Sequence, residues 1–285
     1  MRVVSDFDGV WTEPDGEAQA VGAWQCRRLA EALGGDEPAA AALLERVRAA
    51  VRARPERHGW RRAGGLTCYA DEDPYVFHNA VAAALWDEEP EARAELAAHG
   101  FESAEAFAWR CFEEATAAWA RAGAAPLLAS AIEAVQELLD RGCEVWIVSN
   151  GSNERIRTML EGGCPGLLAH PRLRLRGDAR KFELEPPGRE AAAEDPLRLH
   201  GRAVRTARPH YRRLLEQIEP DLVIGDNLSL DLALPLALRR SRRWARRLEI
   251  VLKRNRYTPR WSLEASAAHG IGTVSRLAEL AARLG

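Results

Sequence analysis

The stretch Arg2-Val3-Val4-Ser5-Asp6-Phe7-Asp8-Gly9-Val10 decides how this chain is read. A short apolar run stops abruptly at two acids spaced i, i+2. Such a run is what a parallel strand buried on both faces looks like. Residues i and i+2 at a strand end point the same way. Asp6 and Asp8 should therefore face one site while Phe7 turns into the core.

Two further apolar runs end in polar signatures. Glu144–Val148 leads into Ser149-Asn150-Gly151-Ser152, a hydroxyl and backbone N–H groups at a strand-to-helix turn suited to hold an anion. Asp221–Ile224 leads into Gly225-Asp226-Asn227-Leu228-Ser229-Leu230-Asp231, a glycine turn followed by two acids five residues apart. All three signatures belong at the carboxyl edge of one sheet, where open α/β sheets bind their ligands.

Working outward, residues 16–123 change character. Alanine and glutamate abound, and apolar residues recur at helical spacing. Val21, Trp24, Leu29 and Leu33 form one stripe, ended by Gly34-Gly35; Phe107, Cys111, Ala115 and Trp119 form another, closed by Gly123. The block reads as all-helical, and its five tryptophans read as helix–helix packing. Beyond residue 126 strands and helices alternate. Helices are predicted to end at Gly142 and to cover 153–160, 209–219, 230–239 and 275–284, with a strand over 248–252. Alternation of this kind means βαβ units and a parallel sheet. The least legible stretch is 172–207, where 172–184 and 197–204 read as paired strands around a polar loop.

Bulk properties bound the rest. The 285 residues are 47% hydrophobic and 29% charged with a net charge of −2, values of an ordinary globular protein without a polyanionic partner. No apolar run is long enough to span a bilayer, and no leader precedes the first strand. Five scattered cysteines (26, 68, 111, 143 and 164) without a CxxC pair argue against a disulfide framework or a zinc site. The chain thus reads as cytoplasmic. Between Arg239 and Arg260 there are ten basic residues and one acid, Glu249. In so arginine-rich a chain this reads as a solvated face, not a nucleic-acid surface. Lys181 and Lys253 are the only lysines among 40 basic residues.

The order DxDG, a strand ending in Ser-Asn-Gly, then GDxxxxD resembles the haloacid dehalogenase superfamily. The resemblance implies a doubly wound, Rossmann-like α/β core over 1–13 and 126–285, with a helical cap inserted at 14–125. Hinges would lie near 13–16 and 123–126, letting the cap fold over the site and set specificity. It further implies Mg²⁺-dependent hydrolysis of a small phosphorylated metabolite. Asp6 would be the nucleophile that becomes an aspartyl phosphate, and Asp8 the general acid and base. Asp6, the Asp8 carbonyl and Asp226 would hold the metal, with Asp231 steadying its waters. Ser149 and the amides of Asn150 and Gly151 would bind phosphoryl oxygens. Members that cleave carbon–halogen or carbon–phosphorus bonds lack an acid at the Asp8 position, so its presence favours phosphate chemistry. The physics agrees: four carboxylates converging on a phosphate would repel it without a hard cation, and Mg²⁺ suits oxygen ligands.

The resemblance also calls for a cation beside the phosphoryl group, usually a lysine. Arg208-Pro209 lies where the family's Lys-Pro pair belongs, while Lys181 stands out by composition. Chain position tips the choice slightly to Arg208, with both candidates for the site. Competing readings are a phosphomutase or phosphotransferase, or a non-catalytic binding protein on this scaffold. A calcium loop would also begin Asp-x-Asp, but Val10 and Trp11 stand at its fifth and sixth positions, where Asp/Asn and Gly are needed.

Overall fold

The structure is a computed structural model that describes residues 1–62, 65–122, 127–185 and 195–283. In chain order, β1 (Arg2–Ser5) is followed by α1 (Asp15–Ala32), α2 (Glu37–Ala53), β2 (Gly59–Arg62), β3 (Gly65–Tyr69), α3 (Pro74–Glu88), α4 (Pro90–Ala98) and α5 (Ala104–Arg121). Then come α6 (Ala129–Asp140), β4 (Glu144–Val148), α7 (Asn153–Gly163), β5 (Leu173–Arg176), β6 (Leu197–Leu199) and β7 (Arg202–Val204). The chain continues through α8 (Pro209–Ile218), β8 (Leu222–Gly225), α9 (Ala233–Ser241), β9 (Glu249–Lys253), α10 (Arg260–Ala268), β10 (Gly272–Val274) and α11 (Ala278–Arg283).

Six strands form one sheet in the order β10-β9-β8-β1-β4-β5, every pairing parallel. The chain starts at β1, moves one way to β4 and β5, then returns to fill β8, β9 and β10 on the other side. The winding direction therefore reverses beside β1, and such switch points are where doubly wound sheets bind ligands. Val3, Val145, Leu222 and Val251 from four neighbouring strands share one core cluster with Ala134, Val135, Leu138 and Leu139 of α6. Val4, Val223 and Ile250 alternate to the other face and are equally buried. Burial on both faces is why these strands read as unbroken apolar runs.

The chain divides into two compact units: Met1–Glu13, Arg61–Cys68 and Pro126–Gly285 in one, Pro14–Trp60 and Tyr69–Ala125 in the other. The second is held by a separate cluster in which Leu29, Leu44, Val81, Leu85, Phe107 and Cys111 are fully buried. The expected second hinge at 123–126 lies outside the described residues.

Three expectations are corrected. The 16–123 block is not all-helical, because β2 and β3 pair in a two-stranded sheet and residues 61–68 group with the first unit. Short runs holding Trp60, Thr67 and Tyr69 around a Gly-Gly pair carry a hairpin signal that the surrounding alanine obscures. The 172–184 and 197–204 stretches do not pair with each other. Leu173–Arg176 joins the edge of the main sheet beside β4, while β6 and β7 form their own hairpin. His200 and Gly201 between them take φ of 44° and 80°, the two positive values a type I′ turn requires. Finally, the 230–239 helix begins with a π turn over Leu228–Leu232, and α10 and β10 follow the basic segment unforeseen. Within that segment Arg239 donates to the carbonyls of His269 and Gly270, and Arg242 pairs with Glu216. No helix is long and apolar enough to cross a membrane among the described residues.

Candidate active site

The site is assembled from loops that leave the carboxyl ends of adjacent parallel strands. Asp6 follows β1 directly, anchored by its N–H donating to the Ile224 carbonyl at 2.9 Å. Asp226 follows β8, and Asp231 sits in the π turn that opens α9. One carboxylate oxygen from each of Asp6, Asp226 and Asp231 lies within 4.8 Å of the other two, and all three residues are buried.

Two glycines make that convergence possible. A Cβ on Gly9, whose φ is +73°, would lie 1.9 Å from Asp226 Oδ2. A Cβ on Gly225 would lie 2.4 Å from that of Asp231. Neighbouring amides then fix the acids. Asn227 N donates to Asp231 Oδ2 at 3.1 Å, and Asn255 Nδ2 donates to Asp226 Oδ2 at 2.8 Å.

Lys181 enters this cluster. Its ammonium donates to Asp6 Oδ1 at 2.6 Å and to Asp231 Oδ1 at 2.8 Å, over the ring of Tyr211, and the side chain is 1% exposed. Burial opposes its charge, but Asp231 and Asp6 outweigh burial and hold the lysine pKa above its ordinary range. The Asp6 carboxyl is pushed up to about 8, by burial first and then by Asp231 and Asp8, against the pull of Lys181. Three carboxylates thus face one ammonium in a buried space. That surplus of hard oxygen charge fits a divalent cation such as Mg²⁺.

Arg208 lies outside this cluster. Its fully buried guanidinium donates to backbone carbonyls: Nη1 to Lys181, Nη2 to Thr67 at 2.6 Å and Ser229 at 3.1 Å, and Nε to Arg205 at 3.1 Å. Position along the chain is matched, but the guanidinium ties together the backbone that carries Lys181.

Asp8 turns to a different set of partners. Both its oxygens accept from Arg155 Nη1, at 2.9 and 3.2 Å, and Ser149 Oγ lies 3.5 Å from Oδ2. Ser149 is fully buried and its hydroxyl accepts from Gly151 N at 3.0 Å. Asn150 Oδ1 accepts from Lys181 N at 2.8 Å, so the predicted anion-binding turn also holds the lysine loop. The structure therefore brings Asp6, Asp226, Asp231 and Lys181 into one cluster, sets Asp8 beside Ser149, and leaves Arg208 behind them.

Sequence reasoning passed over Arg155, Asn227, Tyr211 and Asn255. Arg155 left one signal. It stands at the third position of α7 after the N-cap Ser152, where helices favour an acid.

Fold and site together define a doubly wound α/β protein with an acidic, lysine-bridged centre at the carboxyl edge of its sheet. No family model and no curated protein sequence matches the chain. Among solved structures it is similar to a protein provisionally assigned as β-phosphoglucomutase from Thermotoga maritima, at 15% identity and a TM-score of 0.46, covering 99% of this chain and 97% of that one. It is also similar to CbbY from Rhodobacter sphaeroides in complex with phosphate, at 14% identity and a TM-score of 0.44, over 98% and 95% of the two chains. The 2-haloacid dehalogenase from Pseudomonas syringae pv. Tomato is 16% identical, with a TM-score of 0.42, over 100% and 99%. Likeness this distant says nothing of the chemistry, which lies in the site's own residues.

Proposed function

We propose that the protein is a Mg²⁺-dependent phosphatase of the haloacid dehalogenase superfamily, hydrolysing a small phosphomonoester through an aspartyl phosphate on Asp6. The observation that carries this reading is the contact of Lys181 with both Asp6 and Asp231, beside Asp226 and at the end of the strand that also bears Asp8.

Asp6 attacks phosphorus, forming the Asp6 Oδ–P bond as the bond from phosphorus to the leaving oxygen breaks. Asp8 gives its proton to that oxygen, then removes a proton from the water that releases inorganic phosphate and regenerates Asp6. Lys181 holds the attacking carboxylate in place and offsets charge gathering on the phosphoryl oxygens. Ser149 and the turn through Gly151 supply donors for those oxygens. Asp6, Asp226 and the Asp8 carbonyl would hold Mg²⁺, with Asp231 beside it, and the ion would neutralise phosphate charge. Asp8 favours phosphate esters over carbon–halogen bonds, since only a poor oxygen leaving group needs a proton donor. The helical unit inserted after Glu13 is assigned, within the same reading, the role of a cap that selects substrate. A second substrate that excluded water would make the same site a phosphotransferase.

Turnover of p-nitrophenyl phosphate with and without Mg²⁺, in the wild type and in Asp6→Asn, tests the reading. Activity that needs both the metal and Asp6 supports it. Activity in Asp6→Asn equal to the wild type refutes it.

A further inference from the structure

Arg155 has no part in the chemistry above, yet it bonds directly to Asp8. Its Nη1 reaches both carboxylate oxygens, and both side chains are about a quarter exposed, so the pair lies at the solvent-facing rim of the site. Three observations set it apart from a chance surface pair.

First, the arginine is placed against local preference. Ser152 caps α7 by accepting from Arg155 N at 3.2 Å, which puts the arginine in the first turn, where the helix dipole disfavours a cation. Second, Gly151 lies close against the guanidinium end of the pair. A Cβ there would stand 3.1 Å from Arg155 Nη1 and 3.6 Å from Asp8 Oδ2. Third, Asp8 Oδ2, which accepts from Arg155, also lies 3.5 Å from Ser149 Oγ, itself fixed by the Gly151 amide. Asp8 is thus held by a guanidinium and faced by a buried hydroxyl, and its backbone leads into the turn at Gly9, whose φ is +73°.

Resting on the phosphatase reading, we propose that Arg155 is a positioning residue for Asp8, aiming its carboxyl at the leaving-group oxygen. The proton passes from Asp8 to that oxygen as its bond to phosphorus breaks, and the carboxylate left behind remains in the grip of the guanidinium. The arginine acts through Asp8 and does not bind the phosphoryl group. The contribution should therefore scale with how much the leaving group needs a proton.

The experiment measures kcat/KM, which reports the step forming the aspartyl phosphate, for a series of substituted phenyl phosphates at saturating Mg²⁺. p-Nitrophenolate leaves with little help; phenolate and p-methylphenolate need protonation. In Arg155→Met the ratio of kcat/KM for p-nitrophenyl over phenyl phosphate should rise on the order of 10²-fold, the lower end of what general acid catalysis contributes. Arg155→Lys should recover part of the loss. Asp8→Asn should show the same steepened dependence, and the double variant should be no worse than Asp8→Asn alone, as for two residues acting in one step. An equal drop across the series in both Arg155 variants would mean a phosphoryl ligand or a purely structural role, and an unchanged series would mean none; either overturns the inference. A wild type that turns over none of the series with Mg²⁺ instead removes the phosphatase reading beneath it.

Discussion

Replacing Lys181 by methionine separates the two tasks proposed for this lysine. The ammonium sits 2.6 Å from Asp6 and 2.8 Å from Asp231 with almost no solvent access. At an effective dielectric of about 20, each contact is worth about 6 kcal/mol of gross attraction, most of it offset by the desolvation of the ions. Breaking such a buried arrangement from one side leaves carboxylates facing each other uncompensated, which costs about 3–5 kcal/mol. In metal-free protein we expect the melting point of Lys181→Met to fall by on the order of 10 °C. Mg²⁺ should raise it more in the variant than in the wild type, because the cation replaces the missing charge. Turnover at saturating Mg²⁺ should still drop on the order of 10²-fold, since the metal cannot reproduce the donor aimed at Asp6. Calorimetry with and without Mg²⁺, alongside p-nitrophenyl phosphate turnover, reads both effects. A variant that melts and turns over like the wild type in both conditions would show that the ammonium does neither task.

Other perturbations give distinct signatures. Arg208→Met should act on stability first, by about 3 kcal/mol or more, because it orphans buried carbonyls of Lys181, Thr67 and Ser229; a stable but inactive variant would contradict the placement. Gly225→Ala forces a Cβ to within 2.4 Å of Asp231 and should lower both stability, by about 1–3 kcal/mol, and Mg²⁺ affinity by titration calorimetry; unaltered Mg²⁺ binding would count against Asp231 lying at the metal. Asp8→Asn should slow hydrolysis of phenyl phosphate on the order of 10²–10⁴-fold with an unchanged circular-dichroism melt, and a fall in melting point would mean a structural role instead. The helical unit has its own pH dependence. Burial, aided by Arg48 and Arg52, lowers the His78 pKa to about 4 from 6.5. Between those values the unfolded chain binds a proton that the folded unit does not, so stability falls as pH drops from 6.5 to 4, by about 3 kcal/mol in all. His78→Gln should flatten that slope in denaturant titrations; an equally steep slope would assign it to other groups.

The sheet and its acids were legible because burial on both faces gives parallel strands an unmistakable apolar run, and chemistry collects where the run stops. Asp6 and Asp226 are found by that rule alone. Lys181 was not, because it hangs on an irregular segment where Asp178 and Arg180 take positive φ and no periodicity marks which way a side chain points. The surroundings of Arg208 were hidden for a different reason. Its place before Pro209 at the start of α8 marks it in the sequence, but position along a chain does not reveal what a side chain touches. The β2–β3 and β6–β7 hairpins were missed or mispaired because three- to five-residue strands give too few alternations to outweigh their surroundings.

The position of β1 in the sheet has a consequence for how the molecule comes into being. Val3 pairs with Val145 on one side and with Leu222 on the other, roughly 140 and 220 residues further along the chain. During synthesis the strand carrying Asp6 emerges before either of its neighbours, for both lie beyond the entire helical insertion. The helical unit has its own core and can condense meanwhile. The acidic centre exists only once Asp231 has emerged, so in the nascent chain Asp6 stands without Lys181, Asp226 or Asp231 until roughly 225 further residues have been made.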